Sequence, residues 1–302
     1  MCLSVFVIYC LLFVGQQLRS IDATVDVSPT PIVFYHGMGD TSHGSIYSLQ
    51  KWLESKIAGV YVMSIRMGNN TAEDLMSGYF MNLNDQVTEA CRQLTADTRL
   101  ANGFNAIGFS QGGQIIRAIA QRCPTIKILN LISLGGQHQG VYGLPRCPQA
   151  NHICDLVRKL LNYGAYEEYI QNHVVQAEYW HDPLQEDLYK QKNIFLADIN
   201  NENIPRNTTY KERILKLKNF VLVKFLNDSM VEPRESSLFG FYIAGQAQDI
   251  YKMKDTTLYT EDWIGLKELD ISGRLHLYEV IGDHLQIDIK WFEEEIVNKY
   301  LK

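Results

Sequence analysis

No basic run interrupts this 302-residue chain, and its formal net charge is −6. Binding to nucleic acid needs clustered Lys and Arg to neutralise phosphates, so the composition argues against such a partner. Beyond the first twenty or so residues, no segment is apolar enough to span a bilayer. No internal repeat and no disordered linker is visible, which leaves one large α/β domain or two small ones for this length. The cysteines and histidines match no standard zinc spacing. What is present is an ordinary globular composition with 17 Tyr and 12 Phe, apolar surface enough for a core and a lipid-sized pocket.

Residues 3–14 form an uncharged apolar run, too short for a comfortable membrane span and of the length of a signal-peptide core. Residues 1–20 are therefore expected to be a signal peptide, with a signal anchor as the alternative. The n-region has no Lys or Arg, and Gly15, Ser20 and Ala23 offer small residues for cleavage. Cys2 and Cys10 would leave with that segment. Cys91, Cys123, Cys147 and Cys154 remain, an even number that suggests two disulfides in a secreted chain. Sequence alone permits three connectivities. A zinc site on Cys147 and Cys154 with His138 and His152 is conceivable, but a disulfide is preferred. Asn69, Asn207 and Asn227 each begin an Asn-x-Ser/Thr sequon, which fits a surface-glycosylated protein of the secretory pathway.

The central region alternates. Residues 32–35 form a continuous apolar strand, and residues 48–57 carry a helical stripe. Residues 60–65 read as a strand, and Leu83, Val87, Ala90, Cys91 and Leu94 as an amphipathic helix. Residues 104–109 are a strand, 115–122 lie in a helix, and 128–134 are a strand. This order predicts a mainly parallel sheet with helices on both faces. Residues 135–219 then break the rhythm. They are longer than an ordinary connection, carry helical apolar spacing and include a short strand candidate at 194–196. They are expected to form a cap or lid on a domain spanning residues 21–302. Residues 220–225 and 275–281 resume the strands, residues 236–265 are mixed, and a C-terminal helix follows Leu285.

Within this frame, Gly108-Phe109-Ser110-Gln111-Gly112 contains Gly-x-Ser-x-Gly between a strand and a helix. Such a turn is sharp and strained. It exposes the Ser oxygen at a helix N-terminus, where backbone N–H groups favour developing negative charge, and a side chain at Gly108 or Gly112 would clash. A Ser hydroxyl needs a His to take its proton and an acid to orient that His. With this elbow the chain order is Ser, acid, His. His284 follows the last strand and precedes the last helix, so it is the expected base, whereas His276 lies inside a strand. Asp228 directly follows strand 220–225 and is the expected acid. Asp198 is the alternative, and Glu232 and Asp283 are weaker ones. Two oxyanion donors are expected, the backbone N–H of Gln111 and that of Met38, the latter held between Gly37 and Gly39 in the loop after the first strand.

Several long stretches resemble the lysosomal palmitoyl-protein thioesterase family. They are His36-Gly37-Met38-Gly39-Asp40, the segment from Gly108 to Gly113, Gly135-Gly136-Gln137-His138-Gln139-Gly140-Val141 and Ala177-Glu178-Tyr179-Trp180-His181-Asp182-Pro183. Val223-Lys224-Phe225-Leu226-Asn227-Asp228-Ser229 and Gly282-Asp283-His284-Leu285-Gln286 complete the set. The resemblance implies an α/β-hydrolase that removes thioester-linked fatty acyl groups from cysteines of lipid-modified proteins in the lysosome, without metal or organic cofactor. It assigns nucleophile, acid and base to Ser110, Asp228 and His284, and places most of the fatty-acid groove in the insertion. It also implies the pairings Cys91–Cys123 and Cys147–Cys154. The family pattern has two adjacent cysteines after its oxyanion loop, where this chain reads Thr41-Ser42-His43, so a local bridge is absent and a looser loop is expected. Thioester preference is carried by the resemblance, because oxygen esters suit the same machinery. A secreted lipase or carboxylesterase is the alternative function, and a non-catalytic binding protein of the same fold is a third.

Overall fold

A computed structural model describes residues 28–143 and 152–302. The expected signal peptide and Cys147 therefore lie outside the described residues. In chain order the first half reads β1 (Ile32–Tyr35), α1 (Ser45–Lys56), β2 (Val62–Ser64), α2 (Thr71–Phe80), α3 (Leu83–Ala96), β3 (Phe104–Phe109), α4 (Gln111–Arg122) and β4 (Ile128–Leu134). Among the described residues five α-helices follow, α5 (His152–Gly164), α6 (Glu168–His173), α7 (Glu186–Lys192), α8 (Leu196–Ile199) and α9 (Thr208–Ile214), with a 3-10 turn at Val175–Tyr179 between α6 and α7. The chain then forms β5 (Asn219–Phe225), a ribbon of β6 (Phe241–Tyr242) and β7 (Ile250–Tyr251), α10 (Thr257–Thr260), α11 (Leu266–Ile271) and β8 (Leu275–Val280). It ends in α12 (Ile289–Trp291), which continues as a π-helix over Phe292–Leu301.

Among the described residues the main sheet has six strands in the order β2-β1-β3-β4-β5-β8. Every ladder in it is parallel. The inner strands are apolar on both faces because helices cover both. Their alternation sorts residues between two cores. Val33, Tyr35, Phe104, Ala106, Phe220 and Leu222 face the α3–α4 side. Ile32, Phe34, Ile107, Phe109, Val221 and Val223 face α1 and the C-terminal helix. The edge strand β8 is covered less, and its burial alternates with the pleat.

The strand order reverses between β1 and β3, which opens a crevice at their C-terminal ends, the usual place for a ligand in such a sheet. The loop after β1 and the turn after β3 both end there. The described part of the insertion between β4 and β5 is largely helical, as its apolar spacing predicts. Its α5 and α6 share a small core with α2, in which Val157, Leu161, Ile170 and Val174 pack with Tyr79.

Residues 194–196 are not a strand. The Asn193 side chain accepts the N–H groups of Phe195 and Ala197, which turns the chain into α8. Helix α2 was not expected from the sequence, although Asn70 caps it by accepting the Glu73 N–H at 3.0 Å.

Candidate active site

Ser110 has φ 52° and ψ −124°, a strained conformation for a residue with a side chain. The glycines on either side permit it. A Cβ on Gly108 would overlap the backbone of Gly112 and Gly113, and one on Gly112 would overlap the carbonyl oxygens of Tyr35 and His36. The further glycine, Gly113, lets the chain after β4 approach α4: a Cβ there would overlap Ser133 Oγ and lie 3.1 Å from Gly136 Cα.

The three loops at the C-terminal ends of β3, β5 and β8 converge. His284 Nε2 lies 2.8 Å from Ser110 Oγ. Its Nδ1 lies 2.7 Å from Asp228 Oδ2, so Nδ1–H donates to the carboxylate and leaves the Nε2 lone pair free to accept the Ser hydroxyl. The other carboxylate oxygen of Asp228 accepts the N–H groups of Met230 and Val231, each at 2.9 Å, which fixes its plane. Asp283 braces the loops from behind. It accepts the Ser229 N–H and hydroxyl and the His284 N–H. Those donors hold its carboxyl below the usual range, the His284 N–H foremost.

The other acid candidates are occupied elsewhere. Asp198 pairs with Arg122 at 2.5 Å and accepts the Tyr210 hydroxyl at 2.7 Å. Glu232 accepts the Tyr242 hydroxyl. His276 lies on β8 with Nε2 2.8 Å from Asn219 Oδ1.

On the expected oxyanion side, Gly37 is pressed against Ser110, and a Cβ on it would sit 3.0 Å from Ser110 Cβ. Met38 follows and lines the same cavity as Ser110. Gln111 is the first residue of α4, where backbone N–H groups have no acceptor within the helix. The β1 loop is tied by a buried ion pair: His36 Nε2 lies 3.1 Å from Asp74 Oδ1, and His36 Nδ1 lies 2.9 Å from the Gly37 carbonyl. Both ring nitrogens face acceptors, an arrangement that favours the protonated ring. Burial alone would lower the His36 pKa; the Asp74 hydrogen bond and charge and the Gly37 carbonyl outweigh it, and the net shift is upward. Burial opposes ionisation of Asp74 as well, but His36 and the Ser42 and Met67 N–H groups hold its carboxyl below the usual range. Ser42 N donates to Asp74 Oδ2 at 2.8 Å, so Asp74 ties the Thr41-Ser42 stretch that has no local disulfide.

Two cavities meet at Ser110. The larger, about 460 Å³, is walled by Met38, Ile46, Leu49, Phe109, Leu285 and Ile287 among others. None of the described residues of the insertion lines it. Val141, Leu161, Gln176 and Tyr179 of the insertion line the smaller one, about 30 Å³. Among the described residues, the insertion expected to form most of the fatty-acid groove thus lines only the smaller cavity.

Two residues in contact with this machinery were missed from the sequence. Gln137 donates from Nε2 to Ser110 Oγ at 3.1 Å. Asp74 holds the loop after β1, the expected oxyanion loop, from α2, where the only sequence signal was the Asn70-x-x-Glu73 helix start.

The expected Cys91–Cys123 disulfide is present and joins α3 to the end of α4. Its counterpart involves Cys147, outside the described residues. Asn69, Asn207 and Asn227 are all exposed. Among the described residues no group of three or more His, Cys, Asp or Glu is arranged to hold a metal, and no helix is long and apolar enough to cross a membrane.

A parallel sheet whose strand order reverses beside a strained Ser elbow, with His and Asp delivered by later strand ends, defines the α/β-hydrolase class. Residues 31–284 match the family model described as "Palmitoyl protein thioesterase". The chain is 51% identical over 272 residues to "Palmitoyl-protein thioesterase 1" of Caenorhabditis elegans, covering 89% of this chain and 91% of that protein. It is 39% identical to "Palmitoyl-protein thioesterase 3" of Dictyostelium discoideum, covering 84% of each. It is 28% identical to "Lysosomal thioesterase PPT2" of Homo sapiens, covering 90% and 87% respectively. The chain belongs to the palmitoyl-protein thioesterase family.

Proposed function

We propose that this enzyme removes long-chain fatty acyl groups such as palmitate from thioester linkage to cysteines of lipid-modified proteins or peptides, through an acyl-enzyme on Ser110. The hydrogen-bonded line from Asp228 through His284 to Ser110 carries the mechanistic part of this reading. Family membership supports the thioester substrate. The apolar-walled cavity beside Ser110 supports apolar bulk next to the scissile bond.

In the first half-reaction Ser110 Oγ attacks the thioester carbonyl while His284 Nε2 takes its proton. The Met38 and Gln111 backbone N–H groups receive the oxyanion. The C–S bond breaks, and His284 returns the proton to the departing cysteine sulfur. Water then attacks the acyl-enzyme with His284 as base, and the fatty acid leaves as Ser110 regains its proton. The insertion at 135–219 serves as a cap, supported by its own small core against α2 and by the contribution of Val141, Leu161 and Tyr179 to the narrow cavity. A lysosomal address reached through the secretory pathway is supported by relatives named as lysosomal thioesterases, three exposed sequons and a disulfide.

Turnover of a palmitoyl thioester beside its matched oxygen ester, with Ser110→Ala as control, tests the reading. The thioester is hydrolysed faster and the variant turns over neither. Faster oxygen-ester hydrolysis would favour a lipase or carboxylesterase. Full activity in Ser110→Ala would remove the nucleophile assignment.

A further inference from the structure

Ser110 Oγ has two polar neighbours, and the reaction as written uses only one. The second is the Gln137 amide, with Nε2 at 3.1 Å. The chemistry fixes its orientation. The Ser hydroxyl proton points to His284, which lies 2.8 Å away, so Oγ turns a lone pair toward Gln137 and takes an N–H. The amide oxygen faces Gln114 Nε2 at 3.5 Å.

Gln137 is also held in place. It is 6% exposed and belongs to the chain leaving β4. The next residues are stapled to Ser236: His138 N donates to its carbonyl at 3.1 Å, Gln139 N to its hydroxyl at 3.0 Å, and that hydroxyl donates to the Gly140 carbonyl at 2.7 Å. The close approach of Gly136 to Gly113 brings this segment beside the elbow.

We propose that Gln137 is a catalytic residue for deacylation, its side-chain N–H stabilising the charge that returns to Ser110 Oγ as the acyl-enzyme breaks down. This rests on Ser110 being the nucleophile. In the acyl-enzyme, Oγ is an ester oxygen and a poor acceptor. Once water has added and His284 holds the extra proton, the C–Oγ bond breaks, its electron pair moves onto Oγ, and the His284 proton follows. The hydrogen bond from Gln137 strengthens as that charge grows, so it favours the transition state over the ground state. Acylation depends on it less, because a cysteine thiolate is the better leaving group and Oγ ends that step as an ester.

The test is rapid-mixing kinetics with the palmitoyl thioester of N-acetylcysteamine, on the native enzyme, Gln137→Leu and Gln137→Glu. Gln137→Leu should release a burst of thiol approaching one per active site, followed by steady-state turnover slowed about 10- to 100-fold, at or below the loss seen for an oxyanion-hole donor. KM should fall with kcat, so that kcat/KM changes far less. A residue that merely held the loop would instead raise KM, lower the melting temperature and give no burst; that result overturns the proposal, as does turnover within twofold of native. Gln137→Glu keeps the shape but donates only when protonated. Its deacylation rate relative to native should rise as pH falls through the carboxyl range, and a flat ratio overturns the proposal even where Gln137→Leu does not fold. Retained turnover in Ser110→Ala would instead strike at the nucleophile assignment beneath it.

Discussion

His36 and Asp74, 38 positions apart, meet as a buried ion pair at 3.1 Å directly behind the expected oxyanion loop. The pair joins the end of β1 to α2, and Asp74 also receives the N–H groups of Ser42 and Met67. It therefore converts the loop after β1 from a glycine-rich hinge into a braced platform for Met38.

Asp74→Ala leaves the His36 ring buried without its counter-charge, a change worth about 3–5 kcal/mol. The His36 pKa is raised in the folded state, so its contribution is fully present below its unfolded value of about 6.5 and is lost as pH rises through the folded value. The Asp74 pKa is lowered, so its contribution is present above about 4 and is lost as pH falls through the folded value. Denaturant unfolding should show a larger gap between native and variant at pH 5 than well above neutrality. A gap that widens with rising pH would contradict the pairing.

Gly112→Ala inserts a methyl group 2.6 Å from the His36 carbonyl oxygen, and closer still to that of Tyr35. Helix α4 must move away from β1, taking Ser110 with it. Overpacking of this kind costs about 1–3 kcal/mol, and a shift near 1 Å at the candidate nucleophile costs about 100-fold in rate. Labelling by a serine-directed fluorophosphonate should slow more than the melting temperature alone would suggest; normal labelling would show that the helix accommodates the methyl in place.

Glu178 carries a carboxyl with no exposed surface, and both its oxygens face the Leu83 N–H at the start of α3, at 3.2 and 2.9 Å. Burial raises its pKa well above the ordinary carboxyl value. The folded state therefore holds this proton more tightly than the unfolded chain. Its effect on stability is most favourable below the unfolded value of about 4.3 and declines as pH rises toward the folded one. Glu178→Gln removes that dependence. The variant should lose less stability than the native protein between pH 4.5 and 7.5, and parallel curves would show that the acid is not protonated preferentially on folding.

The Cys91–Cys123 bridge spans 32 positions and ties α3 to α4. Loop-closure entropy assigns such a link about 3–4 kcal/mol. The double variant Cys91→Ser with Cys123→Ser should unfold at lower denaturant yet retain turnover at 25 °C, because the bridge lies at the far end of α4 from Ser110. Loss of turnover without loss of stability would show that the bridge positions the elbow.

The legible parts were those with local patterns. Mostly apolar runs marked β3, β4 and β5 within a residue or so, because strands covered on both faces are largely apolar; Asn105, Asn130, Ser133 and Lys224 are the buried polar interruptions. Residues 194–196 show the limit of that rule, since Phe195 and Leu196 are fully buried yet lie at the turn into α8, where the Asn193 side chain takes the N–H groups of Phe195 and Ala197 that a strand would offer to a neighbour. Helix α2 is short, and its chief signal is the cap at Asn70. Gln137 carried no signal of its own; the glycines before it were the available clue that the chain there runs close to another backbone.

The amino-acid order pointed to a candidate nucleophile, acid and base, with Asp198 kept as the alternative acid, because each follows a strand and parallel strands present their C-terminal ends at one edge. Ser110, Asp228 and His284 could thus be named from chain order and turn chemistry. The partners that brace them could not. Gln137 reaches Ser110 across 27 positions and Asp74 reaches His36 across 38, and neither separation has a helix or strand period. Periodicity records which face of an element is buried. Contacts between loops depend on the path the whole chain takes, and that path exists only once the sheet and both its layers of helices have packed.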